Sequence, residues 1–436
     1  MYKKTFIIFF VLTIIFTLLM AAGCSYKGDE LPSGENTPSG ELSSGNDNLN
    51  DNLHTHTYSS QWSNDGAYHW YAATCSHDVV DSKAKHDFKN GVCSVCKYCD
   101  TYGLIYQLNS DDTYTVAGIQ ENYSGTALVV IPSKYNGKDV TAIAARAFED
   151  HSELISVTIP DSINTIGAFA FDGCKGLTGV YISDMTSWCN INFKSSQSNP
   201  LEHAQKLYLN NVLVTRLNIP KDVEFLDSYA FYNCNDIIEI TVDENNERYK
   251  SQDNCVIDKT TDTLTLGCVN SIIPSYVKMI GPSAFSGCKG LTSIEIPLGV
   301  QTIGYYAFEE CTNLTEITLP SSVTSIRDGA FKNCTNLKNI NLPSNLVKIG
   351  MKAFAYCTSL TSLQIPDGTQ TIDQGAFASC TGLTQINIPS SVYEMGALAF
   401  VNCPALTIYC EDTTQPIGWD KTWMGSSNVV WNNQNI

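Results

Sequence analysis

Cys75-x-His77, His86 and Cys93-x-x-Cys96 are the residues of this chain best suited to hold a metal ion. A Cys-x-x-Cys turn points both sulfurs at one ion, and tetrahedral zinc accepts thiolate sulfur and imidazole nitrogen. The surrounding residues 54–100 carry five of the seven histidines (His54, His56, His69, His77, His86), with Cys99, Trp62 and Trp70 beside the ligand candidates. A segment this short, with few aliphatic residues, needs a staple. Structural zinc, disulfides and unligated side chains all remain open readings of it. No other cofactor is required by the sequence.

Elsewhere the catalytic inventory is thin. G-x-S-x-G, H-E-x-x-H, Walker and G-x-G-x-x-G patterns are all missing from the sequence. Beyond residue 100 the histidines are His151 and His203, so a Ser-His-Asp site would have to be built on His203. Acid pairs such as Glu309-Glu310 read as a solvated face rather than an acid/base pair. The expected catalytic set is empty, and the chain reads as non-enzymatic.

The second half keeps a strict beat. Cys288, Cys311, Cys334, Cys357, Cys380 and Cys403 recur every 23 residues, each preceded three positions earlier by Phe285, Phe308, Phe331, Phe354, Phe377 and Phe400. A fixed period of this size is the mark of a solenoid. The unit reads L-x-x-I-x-I-P-x-x-V-x-x-I-G-x-x-A-F-x-x-C, with earlier copies at Leu154–Phe171 and Val214–Phe231. Ile-x-Ile alternates as a short strand, and proline ends it because it lacks an N–H for the ladder. Val-x-x-Ile is a second extended piece facing the core, and Ala-Phe turns the chain into the next coil. The cysteines then stack at one coil position as buried, reduced, space-filling thiols. His151 occupies the same slot, so a thiol is not essential there. Cys255 and Cys268 are the pair best placed to form a bridge.

The predicted fold is therefore a β-rich solenoid of 23-residue coils with short parallel strands. A hairpin over Tyr102–Ile131, turning at Ser110-Asp111-Asp112, should seal the first coil. Residues 404–436, with Trp419, Trp423 and Trp431, should cap the last, with an aromatic ligand platform as the alternative. The beat is lost over residues 184–213 and 243–270, which read as insertions, expected to be loops on one face. The domain order is a leader over 1–23, a Ser/Gly/Asn/Asp-rich linker over 24–53, the Cys/His module over 54–100 and the solenoid over 101–436.

The leader opens on Lys3 and Lys4, runs through the apolar stretch Phe6–Met20 and ends in Ala21-Ala22-Gly23-Cys24. Small residues before a cysteine resemble a bacterial lipoprotein signal, in which the cysteine becomes the lipidated N-terminus. Ala21 departs from the leucine usual at its position. Ordinary secretory cleavage and an uncleaved anchor are the alternatives, and all three place the remainder outside the cytoplasm. The formal net charge of −18 on 436 residues argues against a nucleic-acid partner, which needs a basic stripe.

These repeats, typified by LTSIEIP over 291–297 and IGYYAFEEC over 303–311, resemble the leucine-rich repeats of BspA-type bacterial surface proteins, over about residues 115–436. The Cys/His segment is similar to short modules found beside repeats in such proteins. The resemblance implies a surface-exposed or secreted, lipid-anchored protein that binds a host matrix protein, another cell or a glycan. From the alternation itself, the residue between the two strand aliphatics faces solvent. This gives an outward row of Thr158, Tyr181, Asn218, Thr241, Glu295, Thr318, Asn341, Gln364 and Asn387, of which Glu295 to Asn387 are the candidate ligand-binding residues. Alternatives are a metal-binding surface lipoprotein with the solenoid as scaffold, and an exported hydrolase.

Overall fold

The structure is a computed structural model, and it describes residues 58–64, 68–73, 80–85, 88–89, 92–93, 103–120 and 127–432. Cys24, Cys75, His77, His86, Cys96 and Cys99 lie outside the described residues, while Cys93 falls in the strand Val92–Cys93. The chain divides into two compact units. In the first, Tyr58–Asn64, Tyr68–Ala73 and Val80–Lys85 form an antiparallel three-stranded sheet, and Phe88–Lys89 pairs with Val92–Cys93.

The second unit is the solenoid, and most of its coils contribute to two sets of parallel strands. The Ile-x-Ile pieces pair coil to coil, as in Glu316–Thr318 with Asn339–Asn341 and Ser362–Gln364 with Gln385–Ile388. The Val-x-x-Ile pieces form the longer ladder. Met279–Ile280, Thr302–Ile303, Ser325–Ile326, Lys348–Ile349, Thr371–Ile372 and Glu394–Met395 pair in one register, each one period apart. Proline closes the first piece of each coil, and its carbonyl accepts from the valine N–H three residues on, as Pro297 does from Val300 at 3.1 Å.

Between the two ladders runs the corner column. Phe285, Phe308, Phe331, Phe354, Phe377 and Phe400 stack with centroids 5.2–5.3 Å apart and planes within 6°. Each is fully or almost fully buried. The Phe331 N–H donates to Ala353 O at 2.7 Å, Phe285, Phe308, Phe354 and Phe377 repeat this link to the alanine of the next coil, and Phe400 donates to Trp423 O at 3.0 Å. The corner reverses the chain sharply, and it does so with two left-handed residues per coil, such as Tyr306 (φ 55) and Glu310 (φ 57).

The corner cysteines do more than fill space. Cys311 Sγ–H donates to Phe285 O at 3.1 Å, Cys334 to Phe308 O at 3.1 Å, and Cys357, Cys380 and Cys403 continue the series at 3.1–3.2 Å. Each thiol thus satisfies a buried carbonyl one coil back, a modest bond whose absence would leave that carbonyl with fewer partners. His151 belongs to the coil of the first corner phenylalanine, Phe148, and its ring turns out to Glu153 Oε1 at 2.6 Å instead. All described cysteines past residue 100 are free, Cys255 and Cys268 included. The bridge between those two is not made, and Cys255 Sγ donates to Ile272 O at 3.5 Å.

Burial pushes the Cys357 thiol up to about 12 and Cys403 to about 11. Thiolate is the reactive form, so these positions should be inert while folded. Iodoacetamide at mildly alkaline pH should leave Cys311 to Cys403 unmodified in the native protein and modify them after denaturation, read by mass spectrometry. Native labelling of the whole column would contradict the packing described.

The expected N-terminal hairpin is present: Leu104–Leu108 pairs antiparallel with Tyr114–Ile119, which pairs parallel with Lys138–Ile143. At the other end Trp423 meets Phe400 edge-on at 6.0 Å and packs with Trp419 at 4.8 Å, both buried. These tryptophans end the phenylalanine column as a cap and offer no open platform.

The two breaks in the beat are not loops. Asn192–Phe193 pairs parallel with Thr165–Ile166, and Leu207–Leu209 with Gly179–Ile182, so residues 184–213 add a strand to each ladder. The short helix Met185–Cys189, N-capped by Asp184, is inserted ahead of Asn192–Phe193 and buries Trp188, whose Nε1–H donates to Ala230 O at 2.9 Å. Residues 243–270 form an antiparallel meander, Tyr249–Gln252, Cys255–Asp258 and Thr263–Leu266, whose last strand joins the long ladder. Buried Asn246 stitches it to the previous coil by donating to Pro220 O and Val223 O at 2.8 and 3.0 Å. Gly267 occupies a phenylalanine slot here, where a Cβ would lie 2.2 Å from the Phe285 ring.

Candidate functional site

The outward row has the expected placement. Glu295, Thr318, Asn341 and Gln364 are exposed and Asn387 is half-buried. Glu295 lies opposite Thr318, Thr318 opposite Asn341 and Gln364 opposite Asn387. In a strand, residues two apart share a face. The residue before each central aliphatic therefore belongs to the same surface, and Ser293, Glu316, Asn339, Ser362 and Gln385 are exposed as well. This second row was missed because only the position between two aliphatics was read as outward; alternation carried one step back would have found it.

A third line of contacts binds the face together. Thr315 donates through both N–H and Oγ1 to Thr292 O, at 3.1 and 3.3 Å, and Thr384 repeats this toward Thr361 O at 3.0 and 3.1 Å. The threonines are thereby held by the coil before them. The two rows outside them keep their side chains toward solvent. Only Glu295 and Glu316 carry charge among those ten positions. Apart from those two carboxylates the surface is a set of amide and hydroxyl groups, able to donate and accept at every strand step.

Toward the N-terminal end the same row turns aromatic. Tyr181 lies opposite Tyr208, supplied by the irregular coil, and the rings stack at 4.6 Å and 10°. Gly179 makes room for them, since a Cβ there would sit 3.1 Å from both rings. Burial, with Tyr208 a lesser cause, pushes the Tyr181 phenol up to about 12. Farther along, Arg216 pairs with Glu239 at 3.1 Å across neighbouring strands. Thr158 is half-buried, while Asn218 and Thr241 are exposed.

Two sequence readings of possible chemistry change. Glu309 is not solvated: it is 6% exposed, and Lys332, one period later, donates to its Oε1 at 2.7 Å. Its carboxyl still lies above the ordinary carboxylate range because desolvation outweighs the lysine. His203 Nε2 is buried and has no hydrogen-bond partner, so no nucleophile is paired with that nitrogen. A cavity of about 30 Å³ sits where Gly267 interrupts the column, between Phe231 and Phe285. That is room for water but not for a substrate.

Coils that mostly repeat at 23 residues, two sets of parallel strands and a packed aromatic corner define a leucine-rich-repeat solenoid that presents a surface. The family model of the BspA type leucine rich repeat region matches in six copies, over residues 131–249, 183–276 and 278–407. This chain belongs to that family, one of bacterial leucine-rich-repeat surface proteins, which are generally non-catalytic. Similar solved structures include a leucine rich cell surface protein from Faecalibacterium prausnitzii, 26% identical, covering 76% of this chain and 98% of that one at a TM-score of 0.39. A leucine-rich repeat protein from Bacteroides ovatus is 21% identical and covers 75% of each chain at 0.35. The pneumococcal vaccine antigen PcpA is 19% identical and covers 86% of this chain and 99% of that one at 0.45. No curated protein matches. Among the described residues, no helix is long and apolar enough to cross a membrane.

Proposed function

We propose that this chain is a cell-surface binding protein that recognises a macromolecular ligand, a polypeptide or glycan of a host matrix or another cell, without chemistry on it. Cys24 tethers it to the membrane as a lipidated N-terminus, with residues 24–53 as the linker. The Cys/His module of residues 54–100 carries structural zinc through four ligands drawn from Cys75, His77, His86, Cys93 and Cys96. The observation that supports the binding role is the pair of largely exposed, nearly uncharged rows between Glu295 and Asn387, paired from Glu295 through Thr318 to Asn341 and again from Gln364 to Asn387. Their side chains are not consumed by the coil-to-coil bonds that the threonines make. An extended ligand laid along the rows finds an acceptor and a donor at each ~4.8 Å step. The Tyr181–Tyr208 stack adds an apolar contact at one end, suited to a sugar ring or an aromatic side chain.

The experiment is a screen of the full chain against immobilised matrix proteins and glycans, followed by the double variant Asn341→Arg, Gln364→Arg. Two bulky cations on the face should weaken a captured interaction at least about tenfold, near 1.4 kcal/mol. An unchanged affinity, with native circular dichroism, would exclude the polar rows as the contact surface.

A further inference from the structure

Residues 184–213 leave a gap in the corner column. Phe171 N–H donates to Gln197 O at 3.1 Å, just as other corner phenylalanines donate to the residue before the next corner phenylalanine. Ser198 therefore stands in the phenylalanine slot, fully buried but too small to stack. The next corner residues of this coil lie in the short helix Leu201–Ala204, next to the corner of the preceding coil. Here Asp172, Glu202 and His203 come together, with one carboxylate oxygen from each acid and one imidazole nitrogen all within 4.8 Å of one another.

Two of these side chains have unmet needs. Glu202 Oε2 and His203 Nε2 are both buried atoms without a hydrogen-bond partner. A buried polar atom left unpaired is costly, and an unpaired buried carboxylate more so. The groups around Glu202 worsen this: Asp172, Glu309 and Glu310 repel its negative charge, and Lys289 offers the attraction. A neutral imidazole nitrogen and a carboxylate oxygen are both metal-ligating atoms. A cation placed among the three would answer every one of these deficits at once.

We propose that Asp172, Glu202 and His203 form a binding site for a divalent transition-metal cation of the zinc class, clipping the irregular coil to the coil before it. One imidazole and two carboxylates suit zinc, with water filling the remaining position. Bonds of about 2.0–2.2 Å require donors on one ion to lie within roughly 4 Å of each other, so loading draws the side chains inward. The ion holds the array together where the phenylalanine stack is interrupted. The site is separate from the Cys75–Cys96 segment and uses no sulfur.

The test takes the full chain, stripped with a chelator and desalted, and titrates it with Zn²⁺ by equilibrium dialysis and with Co²⁺ by absorption. Co²⁺ at an N/O site lacks the thiolate charge-transfer bands that binding at Cys75–Cys96 would give, so the two sites are told apart. Wild type should take up one equivalent more than Glu202→Gln or Asp172→Asn, and should gain thermal stability with Zn²⁺ that these variants lack. Glu202→Gln should also raise the metal-free melting temperature, because it removes the unpaired acid. Asp172 is half-buried, so Asp172→Asn serves if Glu202→Gln fails to fold. Equal uptake by wild type and the folded variants overturns the proposal, as does retention of Ca²⁺ in preference to Zn²⁺.

Discussion

Phe331→Ala is expected to destabilise the solenoid by about 3–5 kcal/mol, the cost of removing a fully buried aromatic and leaving its cavity. Phe331 is wholly buried and stacks on both neighbours, Phe308 and Phe354, at 5.3 Å. Neither can move into the space, because each is tied by its own N–H to the next coil and stacked on a further ring. The backbone bond from Phe331 to Ala353 O survives the substitution, so the loss reads packing alone. Phe331→Leu keeps most of the volume and should cost roughly 1.5 kcal/mol or less from shape, plus about 0.5–1.5 kcal/mol for each lost aromatic pair. Urea unfolding by circular dichroism measures both. A repeat array need not unfold in one step, so the transition must first be shown to be cooperative. A Phe331→Ala loss below about 1 kcal/mol would mean that the column is not what joins the coils.

This column was legible because it obeys the strictest spacing in the chain. Phe285 to Phe400 needed only counting, and the placement of Glu295, Thr318, Asn341, Gln364 and Asn387 followed from alternation within a few residues. What escaped depends on contacts between coils. The thiol bonds run from Cys334 to Phe308 O and from Cys357 to Phe331 O, across one period plus one corner. A cysteine next to its own phenylalanine does not suggest that partner. In sequence the irregular coils read as loops because Asn192–Phe193 and Leu207–Leu209 are too short to show periodicity and become strands only through their neighbours. Asp172 and His203 lie 31 residues apart in sequence and meet because their coils are neighbours, the second of them longer than the 23-residue period.

The same cause hid the burial of Glu309, and it carries the second large expectation. Glu309 and Lys332 are one period apart, so they occupy the same slot in adjacent coils and pair at 2.7 Å, with side chains 8% and 28% exposed. Burial alone would lower Lys332, but Glu309 beside it and their hydrogen bond hold it above its ordinary value. Lys332→Met leaves the carboxylate buried without a cation. Breaking such a pair costs about 3–5 kcal/mol when both partners are buried, and the exposure of Lys332 brings the expectation down to about 2–4 kcal/mol. Adding Glu309→Gln removes the stranded charge and should return most of the loss, a coupling of roughly 0.5–3 kcal/mol. The pH dependence has a definite sign. Glu309 titrates above its unfolded value of 4.5, so the folded state holds the proton longer, and its contribution to stability falls as pH rises from 4.5 through the folded pKa. In Lys332→Met that fall should be steeper and extend to higher pH, and in the double variant it should vanish. Urea midpoints taken across this range decide the matter. If the single and double variants run parallel with pH, Glu309 does not sit uncompensated in the core.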